Sequence, residues 1–427
     1  MSLKILATGD LHIGRCPTRV EPELAARFSC AKMWGSIVDA AIKHNVDVVA
    51  LSGDVVDQAN RFFEATGPLE RGLDRLAEAG IETFAVAGNH DHDVLPRVVD
   101  AVGPEKLRLL GRGGRWQQAT VTRDGKPVLN VHGWSFPSSH YPSSPLADYR
   151  LEVDDYVPTL GLLHADLEAT GSRYAPVMRP ELSRHNVALW LLGHVHRPQL
   201  FEDDATPSIL YPGSPQAMDP GETGIHGPWL IEITGPRSIE AKQLPLSKVR
   251  YESIEVDLTG ADSAADAQDR IMQRLGEFHA EAAERRGETE VLSARVQLTG
   301  QTAACGQISE FDSALADYDP NVDGLSLRIE RTVNDTRPPV DLDELSKRRD
   351  APGSLARTLL SLDASPPDLA TASLLRNAHA AMQQAARAST YEPISDDVSP
   401  SIDDARDSLR RQAVLLLDAL QAQEQPS

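Results

Sequence analysis

From Lys4 to about Thr234, apolar runs of strand length alternate with stretches of helical periodicity, which restricts the chain to a layered α/β architecture. The runs are Ile5–Ala7, Val46–Leu51, Glu82–Ala87, Val128–His132, Leu160–Leu163, Val187–Leu192, Ile209–Tyr211 and Trp229–Ile233. Between the first two, Leu24, Phe28, Trp34, Ile37, Val38 and Ala41 recur at helical spacing and predict one helix. Leu69, Leu73 and Leu76 predict another, ended by Gly80 as its C′ residue. Alternation early on, then strands in quick succession, points to a sheet or sheet sandwich flanked by helices.

Around residue 240 the pattern changes. Arg250–Leu258 and Leu292–Leu298 alternate as strands, and Leu325, Leu327 and Ile329 make a third. Ala267, Ile271, Leu275, Phe278 and Ala282 share a helical face, and a short helix is predicted around Ile308–Leu315. Beyond Asn334 the chain is rich in loops and helices, broken at Pro338-Pro339 and Pro366-Pro367. Its last helix runs from about Ser401 to Gln423, with Ser401 and Asp404 spaced as a capping box. The expected stripe is Ile402, Ala405, Leu409, Ala413, Leu416 and Leu420, packing on its own domain in preference to docking a partner. A chain of 427 residues exceeds one hydrophobic core. The expected division is 1–240, a small α/β domain at 245–335, and a linker with helices at 336–427.

The longest apolar runs are far too short to span a membrane, and the N-terminus has no signal-peptide pattern. Cys16, Cys30 and Cys305 lack CxxC spacing, as expected of a reduced cytoplasmic protein without a disulfide framework. A net charge of −21 weighs against nonspecific nucleic-acid binding, although a local site can carry the opposite sign.

Five segments follow strand-like runs: Gly9-Asp10-Leu11-His12, Gly53-Asp54, Gly88-Asn89-His90-Asp91, His164, and Gly193-His194-Val195-His196. Ligands of open α/β sheets gather at the carboxyl ends of strands, so the five can meet on one edge. Asp10 and His12 flank one residue, as do His194 and His196, so each pair can point to one side. Asp54 can bridge two cations, and Asn89 offers a neutral oxygen. Imidazole, carboxylate and amide ligands suit Mn, Fe or Zn. Each fragment alone is weak, and His132 competes with His164. The conjunction decides, because five of thirteen histidines fall in these segments.

The order DxH, GD, GNHD, H, GHxH resembles the calcineurin-like metallophosphoesterase superfamily. Ile5 to Gly14, Ala87 to Asp91, Leu162 to His164, Leu192 to Pro198 and Tyr211 to Pro215 are similar to bacterial DNA repair exonucleases, SbcD and its YhaO-like relatives. The likeness covers about the first 240 residues. It implies a β-sandwich flanked by helices (αββα) as the catalytic domain, with residues 245–335 as a small α/β capping, DNA-binding domain.

The resemblance also implies one metal on Asp10, His12 and His196 and another on Asn89, His164 and His194, with Asp54 bridging. Two divalent ions, Mn first, against two carboxylates and a hydroxide leave about one net positive charge. His90 would stabilise the transition state and protonate the leaving oxygen. Asp91 would orient His90, or else serve as a turn residue. Arg15 and Arg61 are candidates for phosphate contact, against a reading as solvated loop residues. Trp134 and Phe136 are core residues or a base-stacking wedge. The function implied is a DNA exonuclease of double-strand break repair, homodimeric and associated with an SbcC-like coiled-coil ATPase. The alternatives are a phosphodiesterase or phosphatase of small nucleotides and a non-catalytic scaffold.

Overall fold

The computed structural model describes residues 2–57, 62–169, 171–203, 206–236, 238–311, 315, 317–386 and 400–424. The chain divides into two compact units. One comprises residues 1–258, 263–300 and 307–335, the other residues 259–262, 301–306 and 336–427.

In the larger unit β1 (Leu3–Thr8), β2 (Val48–Leu51), β3 (Glu82–Ala85) and β4 (Arg108–Leu109) run parallel. A second sheet holds β5 (Gln117–Arg123), β6 (Lys126–Trp134), β7 (Thr159–His164), β8 (Leu189–Gly193), β9 (Gln199–Asp203) and β10 (Thr206–Tyr211), in the order β5-β6-β7-β8-β10-β9. The chain then returns to the first sheet as β11 (Trp229–Gly235) and β12 (Ser238–Gln243), antiparallel beyond β1.

Side-chain alternation explains why the central strands read as unbroken apolar runs. Ile5, Ala7, Val48, Ala50 and Phe84 point into a core shared with Leu129, Val131, Leu160, Leu162, Leu189 and Leu191 of the second sheet. Leu6, Val49 and Leu51 point the other way, onto helices. The helices are Cys30–Lys43, Phe62–Glu78 and Leu95–Val102. Gly72, inside Phe62–Glu78, is required by packing: a Cβ there would lie 2.1 Å from Trp34 Nε1. The close approach offsets a helix cost of about 1 kcal/mol relative to alanine. The outer face of the second sheet is covered by largely irregular chain on either side of β7, where Phe136, Leu146, Tyr149, Ala175, Val177 and Leu182 bury Trp134, Trp190 and Leu192.

A third sheet completes this unit: β13 (Val249–Asp257), β14 (Val291–Thr299), β15 (Asn321–Val322) and β16 (Leu325–Asn334), in the order β13-β14-β16-β15. Its helix, Ala264–Glu284, is capped by Ser263 and buries Ala267, Ile271, Leu275, His279 and Ala282. Val249, Tyr251 and Val291 pack on Phe28 and Ala217 of the sandwich. In the smaller unit, helices Leu342–Ser346, Ala351–Asp363, Leu369–Ala386 and Ile402–Glu424 enclose Leu345, Ala356, Leu359, Ala413 and Leu417.

Two local expectations are corrected. The stripe from Leu24 to Ala41 forms two helices, Pro22–Arg27 and Cys30–Lys43, because Ser29 takes an extended conformation (φ −59°, ψ 154°) before the second. Of the short helix expected around Ile308–Leu315, Ile308–Phe311 is a 3₁₀ turn and Leu315 is helical, while residues 312–314 lie outside the described residues. In the last helix Leu417 is buried and Leu416 is 52% exposed, so the packed face is Ala405, Ala413 and Leu417. The Ser401–Asp404 capping box is present: Asp404 N–H donates to Ser401 Oγ at 3.1 Å, and Ser401 N–H to Asp404 Oδ2 at 2.7 Å. Among the described residues no helix is long and apolar enough to cross a membrane.

Candidate metal centre

The carboxyl ends of β1, β2, β3, β7 and β8 open on one edge, where their loops bond to one another. Asp10 N–H donates to Gly53 O (3.0 Å), His12 N–H to Asp54 O (2.9 Å) and Ala165 N–H to Gly193 O (3.2 Å). His194 N–H donates to Asp10 Oδ1 at 3.0 Å, which joins the two sheets. Asp10, His12, Asp54 and His194 all have positive φ, 49°, 44°, 49° and 95°. Such backbone costs about 1–3 kcal/mol per residue and persists where surrounding structure holds it. Gly53 (φ +99°) leaves room for a ligand: a Cβ would lie 2.5 Å from His164 Nδ1.

The seven residues converge as two sets. Side-chain atoms of Asp10, His12 and His196 lie within 4.8 Å of one another. On the other side Asn89 Oδ1 is 3.1 Å from both His164 Nε2 and His194 Nδ1. Asp54 Oδ2 sits between the sets, 3.8 Å from His12 Nε2 and 3.4 Å from His164 Nε2. Its Oδ1 accepts His90 N–H at 2.9 Å, so one oxygen, not two, faces both sets.

The donor set fits divalent cations. His12 Nε2 and His196 Nε2 face each other at 3.2 Å. Glu222 sits 2.7 Å from His196 Nδ1 and Asp57 3.3 Å from His12 Nδ1. Protons on those outer nitrogens leave two lone pairs pointing at one spot, an arrangement a cation between them stabilises. Electrostatics agree. Burial by itself would raise the Asp54 carboxyl, but His164, His12 and His90 hold it well below the carboxylate range. Burial disfavours charge on His164, yet Asp54 outweighs it and pushes the imidazole up to about 9. The centre therefore favours positive charge, as protons or as metal ions.

Residues 3–198 match the family described as calcineurin-like phosphoesterase. Residues 251–337 match the middle domain of the metallophosphoesterase YhaO. The chain is a calcineurin-like metallophosphoesterase of the YhaO-like branch. It is 29% identical over 228 residues to the uncharacterized metallophosphoesterase YhaO of Bacillus subtilis, covering 53% of this chain and 54% of that protein. To the DNA double-strand break repair protein Mre11 of Haloferax volcanii it is 28% identical over 309 residues, covering 68% of this chain and 63% of the relative. A probable cyclic nucleotide phosphodiesterase of Synechococcus is 26% identical, covering 46% of this chain and 74% of that protein. The chain thus spans little more than half the length of YhaO.

In this metallophosphoesterase His90 is exposed at the rim, its ring 5.1 Å from that of His12 and nearly perpendicular to it. Of the two readings of Asp91, its hydrogen bonds are those of a turn residue. Its Oδ2 accepts Val55 N–H (2.7 Å) and Val56 N–H (3.3 Å), and its Oδ1 accepts Gly88 N–H (2.7 Å). It staples the loop of Asn89 to the loop of Asp54. Burial beside Asp54 pushes its carboxyl up to about 7, against the pull of those N–H groups. An Asp91→Ala variant should lose about 2–4 kcal/mol in urea denaturation, because buried N–H groups are left without acceptors. Loss of turnover at unchanged stability would contradict this. The carboxylate near His90 is Asp57, whose oxygen lies within 4.8 Å of ring nitrogens of both His12 and His90.

Sequence reasoning missed the outer carboxylates. Besides Asp57 and Glu222, Asp166 lies 3.3 Å from His194 Nε2, while Ser52 O lies 3.0 Å from His164 Nδ1. Every converging imidazole thus has an oxygen within 3.3 Å of the nitrogen facing away from the centre. Asp57, Asp166 and Glu222 also correct the charge expectation, turning about one net positive charge into about two negative. Attraction of an anionic substrate must then rest on the cations themselves and on nearby arginines. Arg15 Nε is 3.9 Å from Asp57, which puts it beside His12. Arg61 lies outside the described residues. Trp134 and Phe136 are buried core residues. His132 bonds to Tyr149 (2.6 Å), and burial lowers its pKa to about 4, so it is a core histidine.

Proposed function

We propose that this metallophosphoesterase hydrolyses phosphodiester bonds of DNA, as an exonuclease in double-strand break repair using two divalent ions, Mn(II) first among them. The observation that carries the reading is the pair of converging sets on either side of Asp54 Oδ2, with the His90 imidazole at the open rim. Asp10, His12 and His196 would hold one ion and Asn89, His164 and His194 the other. When bound, the ions supply Lewis acidity and an activated water. The chain's own residues do the rest. Asp54 fixes the spacing between the sets, His90 gives a proton to the leaving oxygen, and Arg15 contacts a phosphate oxygen.

DNA as substrate is supported by the Mre11 relative, named for double-strand break repair, and by a third sheet packed on the sandwich. In this reading the protein is a cytoplasmic homodimer associated with an SbcC-like ATPase, whose DNA-binding surface offsets the −21 charge of the chain. The phosphodiesterase relative favours a second reading, a small nucleotide as substrate. A scaffold role is disfavoured because the whole set, His90 included, is in place.

End-labelled duplex and single-stranded DNA, incubated with Mn(II) or with chelator, separate these readings. Chelator-sensitive product ladders are expected. Inert DNA beside turnover of bis-p-nitrophenyl phosphate would move the assignment to small phosphodiesters.

A further inference from the structure

Three of the four converging imidazoles are backed from within the metal loops themselves. Ser52 and Asp57 flank Asp54, and Asp166 follows His164 by two residues. His196 alone is backed from elsewhere, by Glu222 in the strap 212–228 that joins β10 to β11.

Glu222 is 8% exposed and both its oxygens are engaged. Oε1 lies 2.7 Å from His196 Nδ1, while Oε2 accepts Ser214 O–H (2.7 Å) and Met218 N–H (2.9 Å). The strap cannot follow a wandering histidine, because it is anchored at several points. Ser214 N–H donates to His196 O at 2.9 Å, and Thr18 N–H donates to Met218 O at 2.8 Å. Gly224 N–H donates to Tyr251 O of the third sheet at 3.0 Å. His226 Nδ1 lies 2.7 Å from Ser214 O, which fixes the residue that holds Glu222.

We infer that Glu222 is a positioning residue: by accepting the Nδ1 proton of His196 it fixes that ring's tautomer and direction, and so sets the affinity of the ion position formed by Asp10, His12 and His196. The inference rests on the two-ion reading and is independent of the substrate. A carboxylate is required here. In a glutamine the amide oxygen can serve His196 only if the NH2 is turned against Met218 N–H. Turned the other way, the NH2 faces Nδ1 and forces the proton of His196 onto Nε2, the nitrogen aimed at the ion. Partners of this kind are worth about 10–100-fold in metal affinity.

The test is titration of the chelator-stripped full chain with Mn(II) by calorimetry, with electron paramagnetic resonance at two equivalents to detect the exchange-coupled pair. Wild type should take up two ions. Glu222→Gln should weaken one by about 10–100-fold, leave the other unchanged, and lose the coupled signal at two equivalents but regain it in excess Mn(II). Ser214→Ala, which removes one donor from the far oxygen, should weaken the same ion a few-fold. Two unchanged affinities in Glu222→Gln would overturn the inference. So would equal weakening of both with a lowered melting midpoint, which marks a merely structural role. Should Glu222→Gln fail to fold, Ser214→Ala decides, and wild-type affinities there reject the claim. A wild-type chain that takes up no Mn(II) would overturn the two-ion reading itself, and this inference with it.

Discussion

A His90→Ala variant is expected to lose about 10²–10⁴ in kcat on DNA while binding as many metal ions as the wild type, the scale of general acid catalysis. The geometry separates the two properties. His90 holds Asp54 through its backbone N–H, 2.9 Å from Oδ1, and that bond survives in alanine. Its side chain stands outside both converging sets, exposed and perpendicular to the His12 ring. Leaving-group chemistry sharpens the expectation. The alkoxide expelled from DNA needs a proton, whereas p-nitrophenolate leaves without one. The His90→Ala loss should therefore be much smaller on bis-p-nitrophenyl phosphate than on DNA. Equal losses on the two substrates would rule out a proton donor and leave electrostatic stabilisation of the transition state as the role of His90.

The sequence made the inner residues legible because each closes an apolar run, and strand ends are where an α/β sheet collects ligands. Asp10, Asp54, Asn89, His164, His194 and their neighbours all meet as that logic implies. The outer carboxylates were harder to see. Asp57 and Asp166 lie three residues after Asp54 and two after His164, so a search for carboxylates at short offsets from ligands would have found them. Glu222 has no such signal, since it meets His196 only once β10 and β11 are placed. Asp91 left two readings open in the sequence because neighbours in sequence need not be neighbours in a turn. Its carboxylate folds back onto Gly88 N–H and across to Val55. Strands β5 and β12 escaped notice for a related reason. Gln117–Arg123 and Ser238–Gln243 are edge strands with three exposed residues each, so they never present an apolar run. In the last helix, Leu415, Leu416 and Leu417 are consecutive, and spacing alone did not decide which faces the core.

Asp54→Asn is expected to cost at least about a thousandfold in turnover, roughly 4 kcal/mol of transition-state stabilisation. The change is nearly isosteric. The amide oxygen should stay on His90 N–H, which turns the NH2 towards the centre, where Oδ2 now lies 3.4 Å from His164 Nε2 and 3.8 Å from His12 Nε2. That replaces the one anionic oxygen facing both sets with two donors, so the two ions lose their common partner. The metal-free fold should lose the buried Asp54–His164 pairing and melt at a lower temperature, but the NH2 can donate to the Nε2 of a neutral His164, so the chain still folds. The expected result is therefore a folded protein without a coupled Mn(II) pair, read by melting midpoint, metal analysis and paramagnetic resonance on one sample. His90→Ala should keep the pair and lose the chemistry, whereas Asp54→Asn should lose both. Wild-type turnover in Asp54→Asn would show that the two sets work independently and that the oxygen between them is incidental.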